Sequence, residues 1–314
     1  MLKNSTLKIG TRGSNLALYQ ANQVKEELQA RIPELQCEVV IIKTQGDVVL
    51  DVALSKIGDK GLFTKELEHK LIDQSIDIAV HSLKDLPTQL PAGLKLGAVL
   101  ERGEFRDAFV SRDGRKLNEL KAGDTVATSS LRRKACLLAL HRNLHIVDIR
   151  GNVETRLRKM HEGHCDAMVM AAAGLQRLNL ENNITEIIES ETIIPAVGQG
   201  AIAIEVLGSN TAVQEVLNKI NHISTYNTIL AERSFMHTLQ GGCQVPIGCY
   251  SAVKGKILRL TGFVASVDGE TFLKDSAEGN IHNTVDIGID LAHKLIKSGA
   301  KEILDDIRNN IEKH

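Results

Sequence analysis

The sequence has no tryptophan, and aromatic residues make up only 3% of it. Platforms on which successive bases stack are therefore not expected, and nucleic acid is a poor candidate partner. Positive charge is not in surplus either. Lys and Arg number 38 against 39 Asp and Glu, whereas a nucleic-acid binder shows a basic excess. Any anion site must come from local clustering. No apolar run reaches membrane-span length, and Met1-Leu2-Lys3-Asn4-Ser5-Thr6 lacks the apolar core of a secretory leader, so no membrane partner is expected. The five cysteines (37, 136, 165, 243 and 249) are odd in number and scattered. Reduced thiols in a cytoplasm fit that better than a disulfide framework. His161-Glu162-Gly163-His164-Cys165 has no second Cys/His pair at zinc spacing, and no metal is expected.

What is present alternates between strand and helix. At 314 residues the chain is long for one core, and two or three domains are expected. Leu7-Lys8-Ile9-Gly10 reads as a strand feeding Thr11-Arg12-Gly13-Ser14. A helix follows, with Ala17, Ala21, Val24 and Leu28 on one face and Ser14 as its N-cap. Free N–H groups and the positive end of a helix dipole make such a junction an anion site, and Arg12 adds charge. Cys37 to Ile42 is a second strand. The stretch from Thr44 to Gly61, with Gly58-Asp59-Lys60-Gly61, reads as a long loop able to act as a lid, before helical periodicity resumes at Phe63. Ile78-Ala79-Val80 is short and apolar like a buried parallel strand. It delivers Ser82, Lys84 and Asp85 to a turn ahead of Pro87. Ligands of open α/β sheets bind outside such strand ends.

Arg102 to Arg115 is polar and reads as a crossing into a second unit. That unit repeats the logic of the first. Val126-Ala127 leads into Thr128-Ser129-Ser130 and then a helix opening Leu131-Arg132-Arg133. His145 to Ile149 delivers Arg150-Gly151-Asn152 and a helix bearing Arg156, and Ala167 to Met170 is a further strand. Arginine binds carboxylate bidentately and stays charged at any working pH. These arginines stand at strand–helix junctions, not along an outer helix face.

Pro195 to Glu205 contains GxGxxA, but the strand follows the glycines where a dinucleotide site needs it before them. No GxxxxGK phosphate loop occurs. Helical stretches 210–220 and 225–239 lead to Gly241-Gly242-Cys243-Gln244-Val245-Pro246-Ile247-Gly248, which can hold one thiol with little bulk before it. Two strands (249–253 and 257–264) and a helix (285–296) close a small α+β unit.

These blocks carry a family. The chain resembles hydroxymethylbilane synthases, also called porphobilinogen deaminases. The matching residues are 11–17, 58–68, 77–87, 128–133, 150–153, 174–178, 195–205 and 241–248, in family order. The resemblance implies an α/β fold of two doubly wound, periplasmic-binding-protein-like domains with the active site in their cleft, plus a small α+β C-terminal domain. The implied boundaries are 1–100 with 199–220, 101–198, and 221–314. It implies a cytoplasmic monomer that joins four porphobilinogen molecules head to tail, releases four ammonia and yields 1-hydroxymethylbilane for tetrapyrrole and heme synthesis.

A dipyrromethane primer is implied as cofactor, held by a thioether to Cys243. Lys84, Asp85, Thr128, Ser130, Arg132 and Arg133 match cofactor-binding positions. Arg12, Ser14, Arg150, Arg156 and Gln199 match substrate-binding ones, and Asp85 matches the catalytic aspartate. The chemistry is consistent: each pyrrole brings an acetate and a propionate, so a growing chain needs many arginines. A carboxylate at pyrrole N–H groups stabilises the cation left when ammonia departs. Two other readings fit part of the pattern. A bilobed small-anion-binding module would need the arginines and helix N-termini, but neither Asp85 nor the thiol. A nucleotide-dependent enzyme would need a phosphate loop.

Overall fold

The computed structural model describes residues 6–48, 61, 63–242 and 244–312. In chain order the first elements are β1 (Leu7–Thr11), α1 (Asn15–Arg31), β2 (Cys37–Ile41), α2 (Gln45–Val48), α3 (Lys65–Ile72), β3 (Ile78–Ser82) and β4 (Leu94–Val99). Next come β5 (Asp107–Ser111), β6 (Thr125–Ala127), α4 (Leu131–Leu140), β7 (His145–Val147), α5 (Val153–His161), β8 (Ala167–Ala171), α6 (Ala172–Arg177) and β9 (Glu186–Ile187). The chain continues with β10 (Ile202–Leu207), α7 (Thr211–Leu217), α8 (Ile223–Thr238), β11 (Ile247–Lys254), β12 (Ile257–Ala265), β13 (Phe272–Asn280), α9 (Thr284–Lys297) and α10 (Ala300–Glu312). Among the described residues no helix is long and apolar enough to cross a membrane.

Two compact units emerge. One takes the described residues up to 103 together with 200–226; the other takes 104–199 and 227–312. The first is built on a five-stranded sheet in the order β2-β1-β3-β10-β4. β1 pairs in parallel with β2 and β3, while β10 runs antiparallel to both β3 and β4. Its core joins one sheet face (Ile9, Ile78, Ile202, Ile204, Val206) to Ala21, Val24 and Leu28 of α1 and Val213 and Leu217 of α7. The other face, with Ala79, meets Leu67 and Leu71 of α3. Helices cover both faces, so the sheet is doubly wound and its strands are apolar almost throughout.

The second unit repeats the plan. Its sheet runs β7-β6-β8-β5-β9, with β6 parallel to β7 and β8 and β5 antiparallel to β8 and β9. A three-stranded antiparallel sheet, β11-β12-β13, belongs to the same unit. It packs its own core against α8, α9 and α10 through Phe235, Leu260, Leu291 and Leu304. Phe263 and Ala265 of β12 pack instead with Phe109, Cys136 and Ile194.

Two sequence expectations change. The polar stretch 102–115 is not a crossing throughout: Asp107 to Ser111 is a strand whose first four residues are buried. The Ala108-Phe109-Val110 triplet has the same apolar character as Ile78-Ala79-Val80, but flanking charge hid it. The C-terminal unit also does not close at residue 296, because β13 and α10 add to it.

The antiparallel strands matter for the sites. Where parallel strands end, an antiparallel neighbour begins. Asp107 therefore pairs with Ala171, the last residue of β8, and Ile202 pairs with Ser82, the last residue of β3.

Candidate active site

In the first unit the C-terminal ends of β1 and β3 line a small cavity of about 70 Å³, bounded by Arg12, Ser14, Gln20, Phe63, Thr64, His81, Ser82 and Asp85. Ser14 caps α1, its Oγ accepting the Ala17 N–H at 3.4 Å. The Arg12 guanidinium sits 4.1 Å from the centre of the Phe63 ring, a cation–π arrangement. A Cβ on Gly46 would run into that ring, so only glycine admits Phe63 there. Gln20 Nε2 donates to Ser82 Oγ at 2.9 Å and ties α1 to the end of β3.

Asp85 stands on a single 3-10 turn, Leu83–Asp85. Leu83 and Leu86 are buried at 1% and 4% exposure, while Asp85 is exposed and Lys84 partly so. The Leu83 N–H donates to the Ala201 carbonyl at 3.0 Å, and the Leu86 N–H returns to the Leu83 carbonyl at 3.1 Å. Two buried leucines thus clamp a turn whose polar residues face outward. Fully burying two leucines stabilises by roughly 3–6 kcal/mol, comparable to the cost of about 3–6 kcal/mol of fixing three residues of turn.

In the second unit the ends of β6 and β7 do equivalent work. Thr128 is buried, and its Oγ1 accepts the Ser130 N–H at 3.2 Å; Ser130 in turn caps α4. Ser129 Oγ bridges to the backbone of Ile149. Gly151, at φ 115°, turns the chain into α5, which Asn152 caps. Arg156 Nε donates to the Gly151 carbonyl at 2.7 Å, and Lys159 Nζ to that of Arg150 at 3.1 Å.

Arg132 and Arg133 lie inside, at 5% and 7% exposure. Both hold Asp107, which is fully buried. Arg132 Nη1 is 2.8 Å from Oδ2, and Arg133 Nη2 is 2.7 Å and Nε 3.1 Å from Oδ1. Gln199 Nε2 adds a fourth donor at 2.9 Å, and Arg132 Nη1 also reaches the Ile194 carbonyl at 2.6 Å. Burial by itself would raise the Asp107 carboxyl; the two guanidiniums outweigh it and hold the group well below the usual carboxylate range. Two cations against one anion leave a net positive charge at the N-terminal turn of α4. An ideal Cβ on Gly248 would lie 2.5 Å from the Pro195 carbonyl oxygen and 2.9 Å from Arg132 Cδ. The glycine loop therefore abuts the arginine directly.

The structure thus gathers Arg12, Ser14 and Asp85 in one unit, and Arg132, Arg133 and Gln199 around Asp107 in the other. Arg150 and Arg156 stand at the start of α5. Cys243 lies outside the described residues, as does most of the stretch expected to act as a lid. Sequence reasoning missed Asp107, Phe63 and Gln20 as members. In the metal-like run, His164 Nε2 donates to the Asp148 carbonyl at 2.9 Å. Among the described residues no group of three ligating side chains gathers.

The chain is an α/β protein with two doubly wound sheets, each with arginine, hydroxyl groups and a capped helix N-terminus at its strand ends. Two family models match it. "Porphobilinogen deaminase, dipyromethane cofactor binding domain" matches residues 7–215, and "Porphobilinogen deaminase, C-terminal domain" matches residues 226–297. Similar proteins include the porphobilinogen deaminases of Carboxydothermus hydrogenoformans (49% identity over 96% of this chain and 97% of that one) and Desulfitobacterium hafniense (49%, 98% and 99%). That of Nostoc is 48% identical over 98% of this chain and 96% of its own. Among solved structures, the VFT2 domain of Bordetella pertussis BvgS aligns at 17% identity with a TM-score of 0.41, over 73% of this chain and 92% of that one. The chain belongs to the porphobilinogen deaminase family. That membership sets aside both the non-catalytic binding module and the nucleotide-dependent enzyme.

Proposed function

We propose that Asp85 is the group through which this chain performs the family's reaction: condensation of four porphobilinogen molecules, release of four ammonia, and hydrolysis to 1-hydroxymethylbilane. The observation that carries this is the Asp85 turn. An exposed carboxylate is clamped by buried Leu83 and Leu86 at the end of β3, in one cavity with Arg12 and the capped start of α1. Arg12 and the α1 N-terminus bind substrate carboxylates. The Asp85 carboxylate accepts the pyrrole N–H and stabilises the positive charge left on the ring as ammonia departs. It then takes the proton expelled when the new carbon–carbon bond forms.

The donor set fits dipyrromethane, whose acetates and propionates match a net-positive arginine pair, the hydroxyls of Thr128 and Ser130, and Lys84. By the family resemblance, Cys243 would hold the group through its sulfur, with Lys84, Asp85, Thr128, Ser130, Arg132 and Arg133 as the other residues that bind it. When bound, it supplies the chain end to which the first substrate is joined. Arg150, Arg156 and Gln199 serve the lengthening chain, Gln199 by bracing Asp107. Division into the three domains that the family resemblance implies, a monomeric state and a cytoplasmic location belong to the same proposal.

Asp85→Asn tests it. The variant should keep the primer mass and lose about 10²-fold or more in porphobilinogen turnover and ammonia release. Turnover near that of the parent would reject Asp85.

A further inference from the structure

Behind the Asp85 cavity lies a group of titratable residues that the reaction above does not use. His81, in the wall of that cavity, is 4% exposed, and its Nε2 is 3.0 Å from Oε2 of Glu205, which is 0% exposed. The sheet dictates this pair. His81 stands opposite Ala203, so Glu205, two residues along β10, projects on the same face. That face meets α3 through Leu67 and Leu71, and the neighbouring Glu68 on that helix is buried at 7% exposure. Oε1 of Glu205 and Oε1 of Glu68 are both buried and, among the described residues, have no hydrogen-bond partner. The β10–β4 pairing also slips at this point: Ile204 faces Ala98 and Glu205 faces Leu96, leaving Gly97 as a bulge. Bulges beside active sites re-aim side chains.

Two buried carboxylates against one imidazole are costly when ionised together, and an unpartnered buried oxygen adds to the cost. A proton shared within the group removes that conflict, as in paired carboxylates elsewhere. We propose that Glu68, Glu205 and His81 form one buried proton-sharing unit, and that through His81 it positions the Ser82–Asp85 turn for the reaction. Its members are positioning residues, and the functional half of the proposal rests on the reading of Asp85 given above. Burial raises the Glu68 carboxyl against the lowering effect of a Thr64 hydrogen bond, and the nearby Glu205 charge adds to the rise. His69 on α3 is a further charged neighbour of Glu68, and Arg12 and Asp85 line the same cavity as His81. β4 brings only Leu96 opposite Glu205, and α1 brings the neutral Gln20.

Two measurements on the primer-loaded protein test this. Infrared difference spectra should show a protonated-carboxyl band at neutral pH that disappears in Glu68→Gln. Absence of the band, or its survival in that variant, would overturn the shared proton. Glu205→Gln should lower kcat about tenfold or more, leave KM within about twofold, and move the acid limb of the kcat profile. A purely packing role would lower Tm and leave the shape of that profile alone, and that result would overturn positioning. The infrared arm does not depend on Asp85, so failure of the Asp85 reading would show separately, as undiminished turnover in Asp85→Asn.

Discussion

Asp107 and Arg133 meet at 2.7 Å in the interior, and Arg132 completes the set from the other carboxylate oxygen. The arrangement follows from topology. β5 runs against its neighbours and starts where they stop, which puts its first residue under the N-terminus of α4. Removing the charge would leave two buried guanidiniums facing each other. Asp107→Asn should therefore cost about 3–5 kcal/mol of stability and reduce primer retention, measured by urea unfolding and intact mass. Unchanged stability would mean that the arginines find other partners.

The same carboxylate gives a pH prediction. Its folded-state pKa is depressed, so its contribution is complete above the ordinary carboxylate range near pH 4. It is lost as pH falls toward the folded value. Between pH 4 and pH 3 the parent should lose up to about 1.4 kcal/mol more per pH unit than Asp107→Asn, read from urea midpoints. Parallel slopes would contradict the pairing.

Two thiols should be inert. Burial pushes Cys136 up to about 12 and Cys165 up to about 11, so neither holds appreciable thiolate at pH 8. Alkylation of the native protein at that pH, followed by peptide mapping, should leave both unmodified. Rapid labelling of either would show that its surroundings open.

Gly248 should resist any side chain. Gly248→Ala forces the Cβ against Pro195 and Arg132, and overpacking of this kind costs about 1–3 kcal/mol. The expected outcome is a lower Tm together with poorer primer retention. A variant matching the parent in both would show that the loop can shift without disturbing Arg132.

Much of this was legible in the chain. Ser14 announced a helix start by capping chemistry and does cap; the helices expected after Ser130 and Asn152 are present too, and those residues cap them. Ile78-Ala79-Val80 announced a buried strand, which placed Asp85 at its end. Asp107 was not legible, because an aspartate in a run of charge looks solvated until an antiparallel partner buries it. Arg132 and Arg133 were read as carboxylate binders, and the carboxylate they hold in this structure belongs to the chain itself. Glu205 was hidden for a similar reason. Its place in an apolar strand marks burial, but its partner His81 lies 124 residues away, and only strand pairing joins them.

Weighing the denatured, purified protein tests the central claim most directly, followed by mapping of the peptide that contains Cys243. The expected result is a dipyrromethane adduct on Cys243, absent from Cys243→Ser, and a further mass gain on incubation with porphobilinogen. An unmodified mass that stays unchanged with porphobilinogen, with no ammonia released, would contradict it.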